Sequence, residues 1–215
     1  MTDPVKSPRS YRSPKRDRQR AETRAEIVRV ASSCFIRDGY PATPITRIAA
    51  EAGVSPDSVY AIFGTKRDLL RAAMEQAAAG APDRSVVRDE WVDQVRAEPG
   101  QHRRLELMAV ATREVMRDVA PFDEMVRAVA ATDPEIADLR DELERGRRRD
   151  VRALVMLLEE VGPLRVPTDE AVDLMWALSR STDLYRALTI ERGWSDKRAR
   201  AALLDVLRRT LLVDP

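Results

Sequence analysis

The chain has 215 residues, enough for one domain or two small ones and for a sizeable core. Hydrophobic residues make up 44%, charged residues 34% and aromatics 5%, with only 8 glycines, a mixture poor in strand formers that predicts an all-α protein. The lone cysteine, Cys34, and lone histidine, His102, exclude an internal disulfide framework and a cysteine-based zinc site, and they leave one ring at most for a nucleophilic relay. Neither a metal nor a cofactor is expected. No apolar run approaches the roughly 18–20 residues of a membrane span, and the first 14 residues are polar and Pro-containing, so a soluble cytoplasmic protein without membrane contact is expected.

A net charge of +1 conceals an asymmetry, because residues 1–24 carry eight basic side chains (Lys6, Arg9, Arg12, Lys15, Arg16, Arg18, Arg20, Arg24) against Asp3, Asp17 and Glu22. Such a basic arm over residues 1–19 suits a polyanion such as DNA, where Lys and Arg displace condensed counterions; a solvated, disordered tail fits the same residues equally well. From Arg20 onward, Ile27, Val30, Ala31, Cys34 and Phe35 form one stripe of an amphipathic helix that stops at Asp38-Gly39. Thr43-Pro44 reads as an N-cap followed by proline at the first helical position, and Ile45, Ile48, Ala49 and Ala52 give the next short helix its apolar face, up to Gly53. Ser55-Pro56 repeats that start, and Val59, Ile62 and Phe63 face inward from a second short helix ended by Gly64. Thr65-Lys66-Arg67-Asp68 resembles a capping box with Asp in place of Glu and opens a helix running to Gly80.

Longer helices are predicted beyond that point, at about 84–97, 101–118, 121–131, 134–161, 168–192 and 195–212. A domain of residues 20–80 therefore precedes a larger one of 81–215, joined through a helix. Gly146 is expected to lie within one continuous helix, and Arg147-Arg148-Arg149, set among Asp141, Glu142, Glu144 and Asp150, reads as an exposed, salt-bridged face in preference to a second nucleic-acid patch. His102 is expected at the surface and Cys34 in the core.

Residues 43–63 have the anatomy of a helix-turn-helix: a supporting helix, a glycine turn, and a second helix opened by small polar residues. Ala49 is small enough for a close crossing, Gly53 takes a conformation costly for other residues, and Val54 plugs the corner. Ser55, Asp57, Ser58 and Tyr60 remain available for phosphates or base edges. Asp57 would accept from a cytosine amino group or complement the helix dipole, and the dipole role is the preferred one.

Residues 20 to 70 resemble the N-terminal DNA-binding domain of the TetR family of bacterial transcriptional regulators, through Phe35-Ile36-Arg37-Asp38-Gly39-Tyr40, Thr43, Ile48-Ala49, Ala52-Gly53-Val54-Ser55, Val59-Tyr60, Phe63 and Lys66 to Leu69. Residues Tyr185-Arg186-Ala187-Leu188 to Arg192-Gly193-Trp194-Ser195 also look like a C-terminal subset of that family. The resemblance implies an all-α chain with a three-helix DNA-binding domain joined to an effector-binding and dimerisation domain. It further implies a homodimer, usually a repressor, that reads a palindromic operator and responds to a small, mostly apolar ligand. By position, Thr43, Tyr60 and Lys66 would grip phosphates, Arg47, Ser55, Asp57 and Ser58 would approach bases or nearby backbone, and Arg20 or Arg24 would reach a flanking minor groove or phosphate. Ala61 stands where the family commonly has an aromatic residue or histidine, and Pro44 where it often has Thr or Val; each removes a possible DNA contact.

Candidate pocket residues are Met108, Met116, Phe122, Met125, Met156, Met175, Trp176 and Tyr185, although core packing is the plainer role for each. Segments 151–161 and 168–190 carry more apolar side chains than one core stripe needs, which suggests a dimer face through the helices near 134–161 and 168–192; a thick monomer core shared with 195–212 is the alternative. A helical protein-interaction module would explain the charge-rich helices but not the capped short-helix pair beside a basic arm. Catalysis by carboxylates such as Glu114, Asp118 and Asp123 is set aside, since surface pairs at helical spacing account for them.

Overall fold

In the computed structural model, which describes residues 14–79, 85–179, 184 and 186–213, the elements are helical throughout apart from one isolated bridge between Leu164 and Leu212. The chain divides between Ala73 and Met74 into two compact units. The first holds α1 (Pro14–Asp38), α2 (Ile45–Glu51), α3 (Pro56–Phe63) and the start of α4 (Lys66–Ala79). The second holds the rest of α4, then α5 (Ser85–Ala97), α6 (Gln101–Ala130), α7 (Pro134–Glu159), α8 (Thr168–Ser179), a π-helical segment (Ala187–Glu191) and α9 (Asp196–Leu211). Residues 1–13, the expected domain boundary at 80–81, and Tyr185 lie outside the described residues.

In the first unit the α1 stripe is the floor of the core: Ile27, Ala31, Cys34 and Phe35 are fully buried, and α2 and α3 add Ile48, Ala49 and Val59. Each large side chain removed from water contributes about 1.5–3 kcal/mol, enough to order helices that are too short to stand alone. Among the described residues α1 is helical from Pro14, so six residues of the expected arm belong to it. Thr43 is not the cap of α2. Pro44 occupies that position and offers no side-chain bond.

In the second unit α6 and α7 form the central pair, α8 lies along α7, and α9 packs on α8 and α6. The predicted break at Pro121 is absent: α6 runs through it as a single helix. An interior proline costs about 3 kcal/mol, but Val119, Phe122 and Val126 are each 2% exposed and anchor the helix on both sides of it. Of the expected 168–192 helix, Thr168–Ser179 is helical, and the described residues that follow include a π-helical turn, Ala187–Glu191, in which Arg192 N–H donates to Ala187 O at 3.0 Å.

Helix α7 continues through Gly146 because Ile136, Leu139, Val151, Val155 and Leu158 keep one buried stripe on both sides of it. Arg147 falls on that stripe, so the arginine run is not simply an exposed face. Its guanidinium, with the side chain only 17% exposed, pairs with Asp123 of α6 at 3.2 Å and Glu144 at 3.6 Å, while Arg148 reaches Asp173 of α8 at 2.6 Å. Much of the apolar excess assigned to a dimer face, including Val151, Val155, Leu157, Leu158, Val172 and Met175, instead fills the unit's own core beside Leu211 and Leu212.

A buried cation binds this unit's helix ends together. Arg104, 4% exposed, donates from Nε to Glu98 O (2.6 Å), from Nη2 to Arg96 O (2.7 Å) and from Nη1 to Leu157 O (2.5 Å), with Glu160 at 3.1 Å. The carbonyls at the ends of α5 and α7 are orphaned by helix geometry and carry the negative end of each dipole, so one guanidinium satisfies them and is itself compensated. His102, its neighbour, is half-buried rather than exposed, with Nε2 shut off from solvent and unpartnered among the described residues. Arg104→Met is expected to lower unfolding stability by about 2–4 kcal/mol in denaturant titration, because it strands buried acceptors, whereas Arg140→Ala should stay within about 0.5 kcal/mol.

Candidate nucleic-acid interface

The helix-turn-helix is built by local hydrogen bonds around one glycine. After α2, Ala52 N–H returns to Ile48 O (2.9 Å), Gly53 N–H to Ala50 O (3.3 Å) and Val54 N–H to Ala49 O (3.0 Å), closing the turn. Gly53 has φ +67° with open space where a Cβ would stand, so the backbone conformation, not crowding, demands glycine. Ser55 then caps α3, its Oγ accepting from Ser58 N–H at 3.2 Å, with Pro56 as the first helical residue. Thr65 caps α4 in the same way, through Asp68 N–H at 3.0 Å, and its hydroxyl donates to the Asp68 carboxylate at 2.6 Å.

With Val59 and Phe63 committed to the core, α3 presents Asp57, Tyr60 and Ala61 outward; Tyr60 is 50% exposed. Asp57 occupies the first turn, where a carboxylate complements the helix dipole. The hydroxyls of Ser55 and Ser58 share a bond of 2.8 Å, so Ser55 is occupied as a cap and Ser58 retains acceptor capacity.

Thr43 departs from expectation. It is fully buried, and its hydroxyl donates towards Gly39 O (2.7 Å) and Cys34 O (3.3 Å). In this arrangement the side chain ties the α1–α2 connection together, with its hydroxyl already engaged. Cys34 lies in the core as expected, and burial pushes its thiol pKa up.

The cations are placed by partners that no local sequence pattern signals. Lys66 Nζ lies 4.2 Å from the ring centroid of Tyr40, and the Arg24 guanidinium lies 4.6 Å from that of Phe63, so each rests on an aromatic face supplied by another element. Arg47 donates to Asp38 at 2.8 Å, while Arg37 pairs with the same carboxylate at 2.9 Å and with Glu51 at 3.2 Å. The structure therefore groups Ser58, Tyr60, Lys66 and Arg24 around α3, sets Arg47 in an ion network between α1 and α2, and leaves Arg20 exposed on α1.

The pocket candidates of the second unit differ in burial. Met108, Phe122 and Met175 are tightly buried, whereas Met156 is 55% exposed on α7. Met125 and Trp176 are half-buried, and the side chain of Met116, like Tyr185, is outside what the structure describes. A cavity of about 20 Å³, room for roughly one water, lies against Met74, Val126, Leu143 and Glu144.

Residues 27–73 match the family model described as bacterial regulatory proteins, tetR family. No curated protein matches the sequence. Among solved structures, a transcriptional regulator from Saccharomonospora viridis in complex with choline is similar at 22% identity and TM-score 0.65, covering 90% of this chain and 100% of its own. A TetR-family regulator from Mesorhizobium loti MAFF303099 (18% identity, TM-score 0.67) and one from Syntrophomonas wolfei (18%, 0.68) each cover 91% of this chain and 99% of their own. At these identities the likeness is one of fold, and it extends through both units. No described helix is long and apolar enough to cross a membrane.

The guanidinium of Arg37, followed by that of Arg47, holds the Asp38 carboxyl below the ordinary carboxylate range. A folded pKa below the unfolded value of about 3.9 contributes stability that is complete above that value and is lost as pH falls through the folded one. The stability advantage of the wild type over Asp38→Asn should accordingly be constant near neutral pH and shrink below about pH 4 in acid titrations of the unfolding midpoint. An advantage unchanged at low pH would remove Asp38 from the network.

Proposed function

We propose that this chain, a member of the TetR family through its N-terminal domain, is a ligand-responsive transcriptional regulator, acting as a repressor that binds a palindromic DNA operator as a homodimer. The observation that carries the reading is the exposed face of α3, where Tyr60, Asp57 and Ser58 stand on a helix fixed by the Gly53 turn and the Ser55 cap. Tyr60 and Lys66 would grip phosphates; Arg47, Asp57 and Ser58 would approach bases or the backbone beside them. Phosphate contacts set the position on the duplex and base-edge contacts select the sequence. Arg47 must exchange Asp38 for DNA, and only an anion of comparable strength, such as a phosphate, would compensate that exchange.

The regulatory half of the proposal rests on the second unit. Similarity to a regulator solved with choline supports a small organic effector held within helices of this unit. The outward side chains of Met156, Ile190 and Val206 supply apolar surface for a partner subunit along the later helices, and no catalytic role is assigned to any residue.

Selection from randomised duplex DNA at near-physiological salt, followed by sequencing, is expected to enrich a palindrome. Enrichment of nothing by a folded protein would move the assignment to a helical protein-interaction module. On the enriched site, Tyr60→Phe and Lys66→Ala should weaken matched and mismatched duplexes alike, and Lys66→Ala should flatten the salt dependence by about one unit. Arg47→Ala should instead alter the sequence preference. A Lys66→Ala protein with unchanged affinity and slope would take Lys66 off the interface.

A further inference from the structure

Arg37, Asp38, Arg47 and Glu51 form one ion network where α1 ends and α2 begins. Asp38 is the last residue of α1 and Arg47 stands in the first turn of α2, so each charge sits at the helix end that disfavours its sign. Helix stability alone would place neither residue there. The pair they form compensates both, with Arg47 Nη1 donating to Asp38 Oδ2 at 2.8 Å.

The two ends of that pair are held unequally. Arg37 grips both oxygens of Asp38, through Nε at 3.1 Å to each and Nη2 at 2.9 Å to Oδ2, and the same Nη2 reaches Glu51 at 3.2 Å. Glu51 lies one turn beyond Arg47 on the same helix, the spacing of a helical ion pair, yet it is engaged by Arg37 and by the Cys34 thiol at 3.4 Å. Arg47 is left with one carboxylate, reached through one nitrogen, and its Nε and Nη2 have no partner among the described residues. The Arg47 side chain is 47% exposed and that of Asp38 only 24%. The guanidinium can therefore leave while the carboxylate stays compensated by Arg37. A fixed oxyanion gripping a mobile guanidinium offers Arg47 the same kind of contact as a phosphate oxygen of DNA.

We infer that Asp38 is an internal competitor for DNA: it occupies Arg47 in the free protein, so that operator binding must first break this pair. Affinity is thereby held below what Arg47 would otherwise give. The inference rests on the DNA-binding function proposed above and adds to it a restraint on affinity, supplied by the end of α1. The restraint also favours release, because a protein leaving its DNA recovers an ion pair.

The test measures the affinity of the full-length protein for the duplex enriched by selection, by fluorescence anisotropy. Asp38→Asn keeps the shape of the side chain and an acceptor oxygen for Arg37, and it should tighten binding by about two- to fivefold, the range of a partly exposed ion pair. In an Arg47→Ala background the same substitution should have no such effect, since no guanidinium remains to be released. Glu51→Gln removes one charge from the same network without touching Arg47, and it should change affinity by less than about twofold. Equal tightening by Asp38→Asn in the two backgrounds, or by Glu51→Gln as much as by Asp38→Asn, would overturn the competitor in favour of general repulsion between carboxylates and DNA. Weaker binding by Asp38→Asn would overturn it as well, because Asp38 would then be holding Arg47 in its DNA-bound position. An affinity unchanged by Asp38→Asn would overturn the competitor while the α3 reading stands. Failure of the wild type to enrich or bind any duplex would instead overturn the DNA-binding function itself, and the competitor with it.

Discussion

The tight corner between α2 and α3 governs everything the N-terminal unit can do. It consists of three backbone hydrogen bonds and a left-handed glycine, and it rests on Ala49, which is fully buried. A helix of only eight residues has little stability of its own, so α3 depends on that corner, on the Ser55 cap and on the burial of Val59 and Phe63. Burial of one face fixes the other. Tyr60 lies about 100° around the helix from Val59, to one side of the face that Val59, Ile62 and Phe63 share, and stands half-exposed.

Charge is handled differently in the two units. In the second, cations are consumed by the fold: Arg104 holds helix ends, Arg147 lies across the α6–α7 seam, and Arg208 reaches Glu106 at 2.8 Å. In the first, Arg24 beside α3 is held by the face of Phe63, and Arg16 and Arg20 at the start of α1 have no acidic partner among the described residues. An aromatic face orients a cation without neutralising it, which leaves the charge available to a polyanion. The chain's near-zero net charge is therefore a poor guide to its surface chemistry.

What could be read from the sequence was what depends on local spacing. Ser55 and Thr65 cap their helices, Gly53 turns the chain, and the α1 stripe is buried, because each is set within a few residues by hydrogen-bond geometry or helical period. The misreadings involve distant partners. Pro121 looks like a helix end until the core on both sides of it is counted; Arg147 looks solvated until Asp123, 24 residues earlier, is found beside it; Thr43 looks like a cap until the carbonyls of Cys34 and Gly39 claim its hydroxyl. Lys66 and Tyr40 are 26 positions apart, and no periodicity pairs them. The candidate DNA face was legible because a helix-turn-helix is a local motif. The small cavity against Val126 and Leu143 was not, since a cavity is the sum of many non-local packings and methionine fills a core as readily as it lines a void.

Tyr60 is the side chain most directly committed to DNA, and hydroxyl-radical labelling of the full-length protein, read by mass spectrometry, resolves that residue from the rest. Tyr60 is half-exposed in the free protein, and Val110 in the other unit is exposed and serves as an internal reference. Addition of the enriched duplex is predicted to slow labelling of Tyr60 several-fold while Val110 is unchanged. Tyr60 labelled at the same rate with and without bound duplex would contradict the placement of α3 against DNA.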